Sequence, residues 1–96
     1  MAHHRSIIWT GPARRGLEQA LDYVGERNPT AADRMLQHTE RQISLLSSTP
    51  LIGRKGRRKD VRELVIQRTP FLVFYQVSDT TVSIIAFHHQ SQNWMV

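Results

Sequence analysis

The apolar residues of this chain change period partway along it. Across residues 13–47 they recur at spacings of three and four, and across residues 61–88 they fall in short runs rich in β-branched and aromatic side chains. Spacings of three and four gather side chains into one stripe of a helix, while strand residues alternate between two faces. A chain with both patterns is expected to lay helices on one face of a sheet, an α+β arrangement.

Breaker residues divide the two regions into elements. Residues 6–10 form a short, β-branched run ending in Trp9-Thr10, closed by Gly11 and Pro12, and predict a first strand. Residues 13–27 carry Leu17, Ala20, Leu21 and Val24 on one helical stripe, with Pro12 suited to the first turn. Asn28-Pro29 then supplies a stop and a new start, since Asn caps a helix whose first turn tolerates Pro. The second helix is expected over residues 29–47, with Ala32, Met35, Leu36, Thr39, Ile43 and Leu46 buried, and Ser47-Ser48-Thr49-Pro50 ends it. Residues 50–60 hold Gly53 and Gly56 among cations and little apolar content, and predict an exposed loop.

Three strands follow, over residues 61–67, 71–77 and 82–88, separated by Pro70 and by Ser78-Asp79-Thr80. Leu64 and Ile66 share a face, and Phe71, Val73, Tyr75 and Val77 lie opposite Leu72, Phe74 and Gln76. The predicted fold is a short N-terminal strand, an α-helical hairpin and a three-stranded antiparallel meander, one face of which covers the hairpin. No repeat or second hydrophobic unit interrupts the 96 residues, so residues 1–96 are expected to form a single domain.

At 40% apolar and 22% charged residues, the chain has the balance of a folded soluble domain. Without cysteines there is neither a disulfide framework nor a thiolate metal site, which makes the reducing cytoplasm the expected compartment. The apolar runs are short, and Met1-Ala2-His3-His4-Arg5 has no apolar segment behind it, so neither a signal peptide nor a membrane span is expected. His3 and His4 are set aside from the functional reading, because expression tags end in such runs.

The formal net charge of +5 has one location: Arg54, Lys55, Arg57, Arg58, Lys59 and Arg62 stand against Asp60 alone, and the rest of the chain holds seven basic and seven acidic residues. A neutral body with one basic segment suits contact with something acidic, whether nucleic acid, an acidic peptide or an acidic protein face, although a solvated flexible loop has the same composition.

The order of these elements, together with Trp9-Thr10, Asn28-Pro29-Thr30-Ala31-Ala32, Pro50-Leu51-Ile52-Gly53-Arg54, Val61-Arg62-Glu63-Leu64, Phe74-Tyr75 and His89-Gln90-Ser91-Gln92-Asn93-Trp94, resembles the RelE/ParE superfamily of toxins from bacterial type II toxin–antitoxin systems. The likeness is greater to the ParE branch. It implies a poison of DNA gyrase held inactive by a cognate antitoxin, whose DNA-binding domain represses the operon and whose C-terminal tail orders on the toxin. RNA-cleaving relatives make a ribosome-dependent mRNA endonuclease the alternative, and a partner serving only as co-repressor is a third reading.

Candidate residues follow from both readings. The basic residues Arg54, Lys55, Arg57, Arg58, Lys59 and Arg62, with Gln92 and Trp94, are the expected contacts for target or antitoxin. Arg14, Arg15, Arg34 and Arg41 on the polar sides of the helices are a weaker hint. Arg62 and Glu63 are neighbours on a strand and point to opposite faces, and Arg62 is taken as the one on the solvated face. A nuclease would use Arg62 on the phosphate and His88 or His89 as base, since histidine titrates near neutrality. Against that, adjacent strand histidines diverge, His89 has a plain structural reading, and no third ligand completes a metal site. Many relatives carry arginine where Gln92 stands, and Tyr75 sits in an apolar strand rather than at the C-terminus. The catalytic set is therefore incomplete, and a non-enzymatic toxin without cofactor is expected.

Overall fold

The computed structural model describes residues 4–90. In chain order it has β1 (Ser6–Trp9), α1 (Gly11–Arg27), α2 (Pro29–Ser44), a 3-10 turn (Leu45–Ser47), β2 (Arg54–Lys55), β3 (Arg62–Val65), β4 (Phe71–Val77) and β5 (Thr81–His89). The strands form one five-stranded sheet in the order β1-β5-β4-β3-β2. β1 runs parallel to β5, and the remaining pairs are antiparallel.

Local chemistry starts both helices, and stops the first, as expected. The Thr10 hydroxyl accepts from the amide of Ala13 at 3.4 Å and donates to the carbonyl of Ile84 at 2.8 Å, so the cap of α1 is also tied to β5. Asn28 ends α1, its amide bonded to the carbonyl of Val24, and starts α2, its side-chain oxygen accepting from Ala31 at 3.0 Å. One residue thus serves both ends of the hairpin turn. The second helix gives way to a 3-10 turn at Leu45, three residues short of its expected end, and Leu46 remains fully buried.

The core lies between the hairpin and one sheet face. Ala13, Ala20, Ile43 and Leu46 meet Ile66, Phe71, Val73, Tyr75, Val82, Ile84 and Phe87. The two layers approach closely at Gly16, where an ideal Cβ would stand 2.2 Å from the carbonyl oxygen of Phe87. α1 therefore rests on β5 backbone to backbone at that point.

Two features depart from the sequence expectation. First, the basic loop is not wholly a loop: β2 lies within it and pairs Arg54 with Glu63 and Lys55 with Arg62, extending the meander by an edge strand. Second, the β4–β5 register breaks between Phe74 and Tyr75, which pair with Ala86 and Ile84 and leave Ile85 as a bulge. The bulge resets the alternation of β5, so that Val82 and Ile84 before it and Phe87 after it all reach the core.

Among the described residues no helix is long and apolar enough to cross a membrane.

Candidate partner-binding surface

The basic segment folds back on the sheet edge through a small set of buried contacts. Tyr75 is fully buried on β4, yet its hydroxyl is satisfied twice: it donates to the carbonyl of Pro50 at 2.7 Å and accepts from the amide of Gly53 at 2.9 Å. A Cβ on Gly53 would lie 2.5 Å from that hydroxyl, so only glycine lets the backbone come this close. Burial pushes the Tyr75 phenol up from its usual range, against the smaller opposing effects of the Gly53 amide and the Arg62 charge. It is a neutral hydroxyl at physiological pH.

Beyond this point the segment turns back on itself. The amide of Gly56 donates to the carbonyl of Val61 at 2.7 Å, and Asp60 takes a positive φ of 64° to make the turn. Arg57, Arg58 and Lys59 lie exposed on this turn. Between it and the sheet is a groove of about 500 Å³, with Leu51, Val61 and Val77 as apolar lining and Lys55, Arg58, Lys59 and Arg62 as basic lining.

The two neighbours on β3 are placed differently from the sequence expectation. Arg62 pairs with Tyr75 and Leu64 with Val73, and cross-strand partners share a face, so Arg62 lies on the helix-covered face. It is half-buried, and its Nη1 donates to the carbonyl of Gly53 at 2.8 Å and, at 3.4 Å, to that of Leu51. Glu63 takes the other face. There its carboxylate, 6% exposed, accepts from Nε and Nη2 of Arg54 at 3.2 and 3.0 Å. Both residues brace the segment: Arg62 holds its backbone carbonyls, and Glu63 anchors its first cation.

The histidines diverge as adjacent strand residues must. His89 packs edge-on against Tyr23 of α1, with ring centroids 5.1 Å apart, and lies 6.1 Å from Phe71. That is a structural role between layers. His88 pairs with Leu72 and sits on the opposite face, 5.8 Å from the Phe74 ring, where burial lowers its pKa and favours the neutral imidazole. Among the described residues no three His, Cys, Asp or Glu side chains group to hold a metal. Gln92 and Trp94 lie outside the described residues.

The sequence reading missed Tyr75. Its signal was a phenol inside an apolar strand, since a buried tyrosine hydroxyl has to find a partner and the glycine-bearing loop was the region with free backbone groups.

A helix hairpin on a meander closed by a parallel N-terminal strand, with a basic segment braced at one edge, defines a toxin fold of the RelE/ParE type. A chain of the chromosomal ParDE TA system of P. aeruginosa has this fold at a TM-score of 0.82, with 24% identity over 92% of this chain and 98% of that one. A chain of the Mycobacterium tuberculosis RelBE2 complex matches at 0.62, with 22% identity over 93% and 94%.

The sequence narrows the class. The model of the ParE toxin of the type II toxin–antitoxin system parDE matches residues 7–94, and the chain belongs to that family. It is 33% identical to Y4kP of Sinorhizobium fredii over 94% of this chain and 93% of that protein. It is 31% identical to toxin RelE2 of Caulobacter vibrioides over 90% and 96% of the two lengths.

Proposed function

We propose that this type II toxin acts by binding DNA gyrase and arresting it with its DNA cleaved, rather than by cutting RNA, and that it does so in the cytoplasm. One observation carries this reading: among the described residues the side chains that a nuclease would need do not converge. A general base has to stand within hydrogen-bond reach of the proton it takes, with cations on the same phosphate. His88 and His89 lie on opposite faces, with His89 packed between Tyr23 and Phe71, and Arg62 is engaged with the carbonyls of Gly53 and Leu51. The exposed cations of residues 54–59 are arranged as a contact surface.

The same surface supports a second partner. Solved relatives include toxin–antitoxin complexes, one of them the RelBE2 pair. A cognate antitoxin with an acidic tail would be steered to the basic edge by a salt-dependent attraction and would order as it binds. The test is gyrase supercoiling with purified toxin beside a translation extract in which mRNA length is followed. Loss of supercoiling with accumulated cleaved DNA and intact mRNA supports the reading; cleaved mRNA with unaffected gyrase refutes it.

A further inference from the structure

We propose that the groove beside β2 takes an acidic peptide segment with an aliphatic anchor, and that Tyr75 is the positioning residue holding one wall of that groove in its binding conformation. The proposal rests on the reading of the chain as a binder and names the chemistry of what is bound.

The charge of the lining comes first. Among the described residues Lys55, Arg58 and Lys59 have no ion-pair partner, and Asp60 is the one acidic group beside them. Three uncompensated cations around a single concave surface favour an anionic occupant.

The floor then separates peptide from nucleic acid. It is aliphatic, built from Val61 and Val77 with Leu51 at its wall, and among the described residues no aromatic ring lines the groove. Surfaces that hold single-stranded nucleic acid stack bases on aromatic rings, and nothing here offers that platform. An aliphatic floor within a basic rim instead fits a branched apolar side chain flanked by carboxylates.

The wall is fixed before anything binds. Leu51 of that wall is 62% exposed and Ile52 beside it, outside the groove lining, 51%, an unfavourable position for two aliphatic side chains. They stay there because the residues on either side, Pro50 and Gly53, are both bound to the buried Tyr75 hydroxyl, with Arg62 on the carbonyls of Leu51 and Gly53. A wall ordered in advance spares the binding partner the entropy of ordering it.

The experiment titrates the isotope-labelled full chain with a synthetic peptide of glutamates around one leucine, followed by amide shifts. Its controls are the same peptide with serine for leucine, and oligouridylate. Saturable shifts at Lys55, Gly56 and Val61 are expected. The serine peptide should bind about tenfold more weakly, the equivalent of burying one aliphatic side chain.

Tyr75→Phe should weaken the leucine peptide about fivefold through lost preorganisation. Ile84→Val, which thins the core without touching the latch, should bind as the parent does. The proposal is overturned by equal binding of both peptides, by the absence of saturable shifts, or by oligouridylate displacing the leucine peptide from these amides. It is overturned equally if Tyr75→Phe binds unchanged or if Ile84→Val loses as much. Gyrase plays no part in this titration, so its failure leaves the supercoiling result standing and the reverse also holds.

Discussion

Gly16 and Gly25 lie on the same helix and answer the same substitution in opposite ways. Alanine at either position gains about 1 kcal/mol of helix propensity. At Gly25 the new methyl would meet only the Cβ of Ala32, at an ordinary 3.7 Å, so Gly25→Ala should stabilise by about 0.5–1 kcal/mol. At Gly16 it would stand 2.2 Å from the carbonyl oxygen of Phe87 and 3.1 Å from its carbonyl carbon, atoms of a central strand with no rotamer to yield.

Relief at Gly16 needs α1 to lift by about 1 Å to reach an ordinary carbon–oxygen contact. A gap of that size forfeits about a quarter to a half of the local dispersion energy under Ala13, Ala20 and Leu17. Because no rotamer can yield, the overpacking costs about 3–4 kcal/mol, somewhat above the usual range of about 1–3, and less the propensity gain it leaves a net loss of about 2–3 kcal/mol. For a domain of this size that lowers Tm by about 10–20 °C. Thermal unfolding followed by circular dichroism measures both variants. A Gly16→Ala melt within a few degrees of the parent would refute the backbone contact between α1 and β5.

Three other outcomes follow from particular contacts. His88 has a folded-state pKa below its unfolded value of about 6.5, so its contribution is present above that pH and is lost as pH falls through about 6.5 toward the folded pKa; His88→Gln should flatten the fall in urea midpoint between pH 7 and pH 5, and an unchanged slope would contradict the assignment. Arg68 occupies φ 66° in the turn between β3 and β4, and Arg68→Gly should stabilise by about 0.5–1 kcal/mol, after the entropy of glycine is offset against relief of left-handed strain, as read from urea denaturation. Arg54→Ala leaves the buried Glu63 carboxylate without its fork of donors and should cost about 1–2 kcal/mol, with faster amide exchange at Lys55 and Gly56; wild-type exchange there would show that β2 is held by something else.

The helix hairpin was legible because each boundary has local chemistry: Thr10 and Asn28 are capping residues, Pro12 and Pro29 suit first turns, and the apolar stripes are long enough to show a period. β4 was legible for the same reason, bounded by Pro70 and Ser78. β2 was not, since two charged residues have no period and become a strand only through pairing with Glu63 and Arg62. The parallel pairing of β1 with β5 joins residues more than seventy positions apart, and no local pattern encodes it.

The face of Arg62 was readable but misread. Once Leu64 and Ile66 are assigned one face of β3, alternation carries Arg62 to that same face, while a charge invites placement in solvent. What resolves the conflict is a pair of backbone carbonyls, Gly53 and Leu51, supplied by a loop whose course the sequence does not reveal. The bulge left a trace too: Val82, Ile84 and Phe87 are spaced two and then three apart, a break in alternation that a strand absorbs by bulging.

In the proposed function this toxin holds a protein target and does not cut RNA. Its most direct test measures gyrase supercoiling and cleaved-DNA complex as purified toxin is added, with mRNA integrity followed in a translating extract at the same concentrations. Inhibited supercoiling, accumulated cleaved complex and full-length mRNA are expected. Fragmented mRNA with gyrase turning over at its normal rate would contradict it.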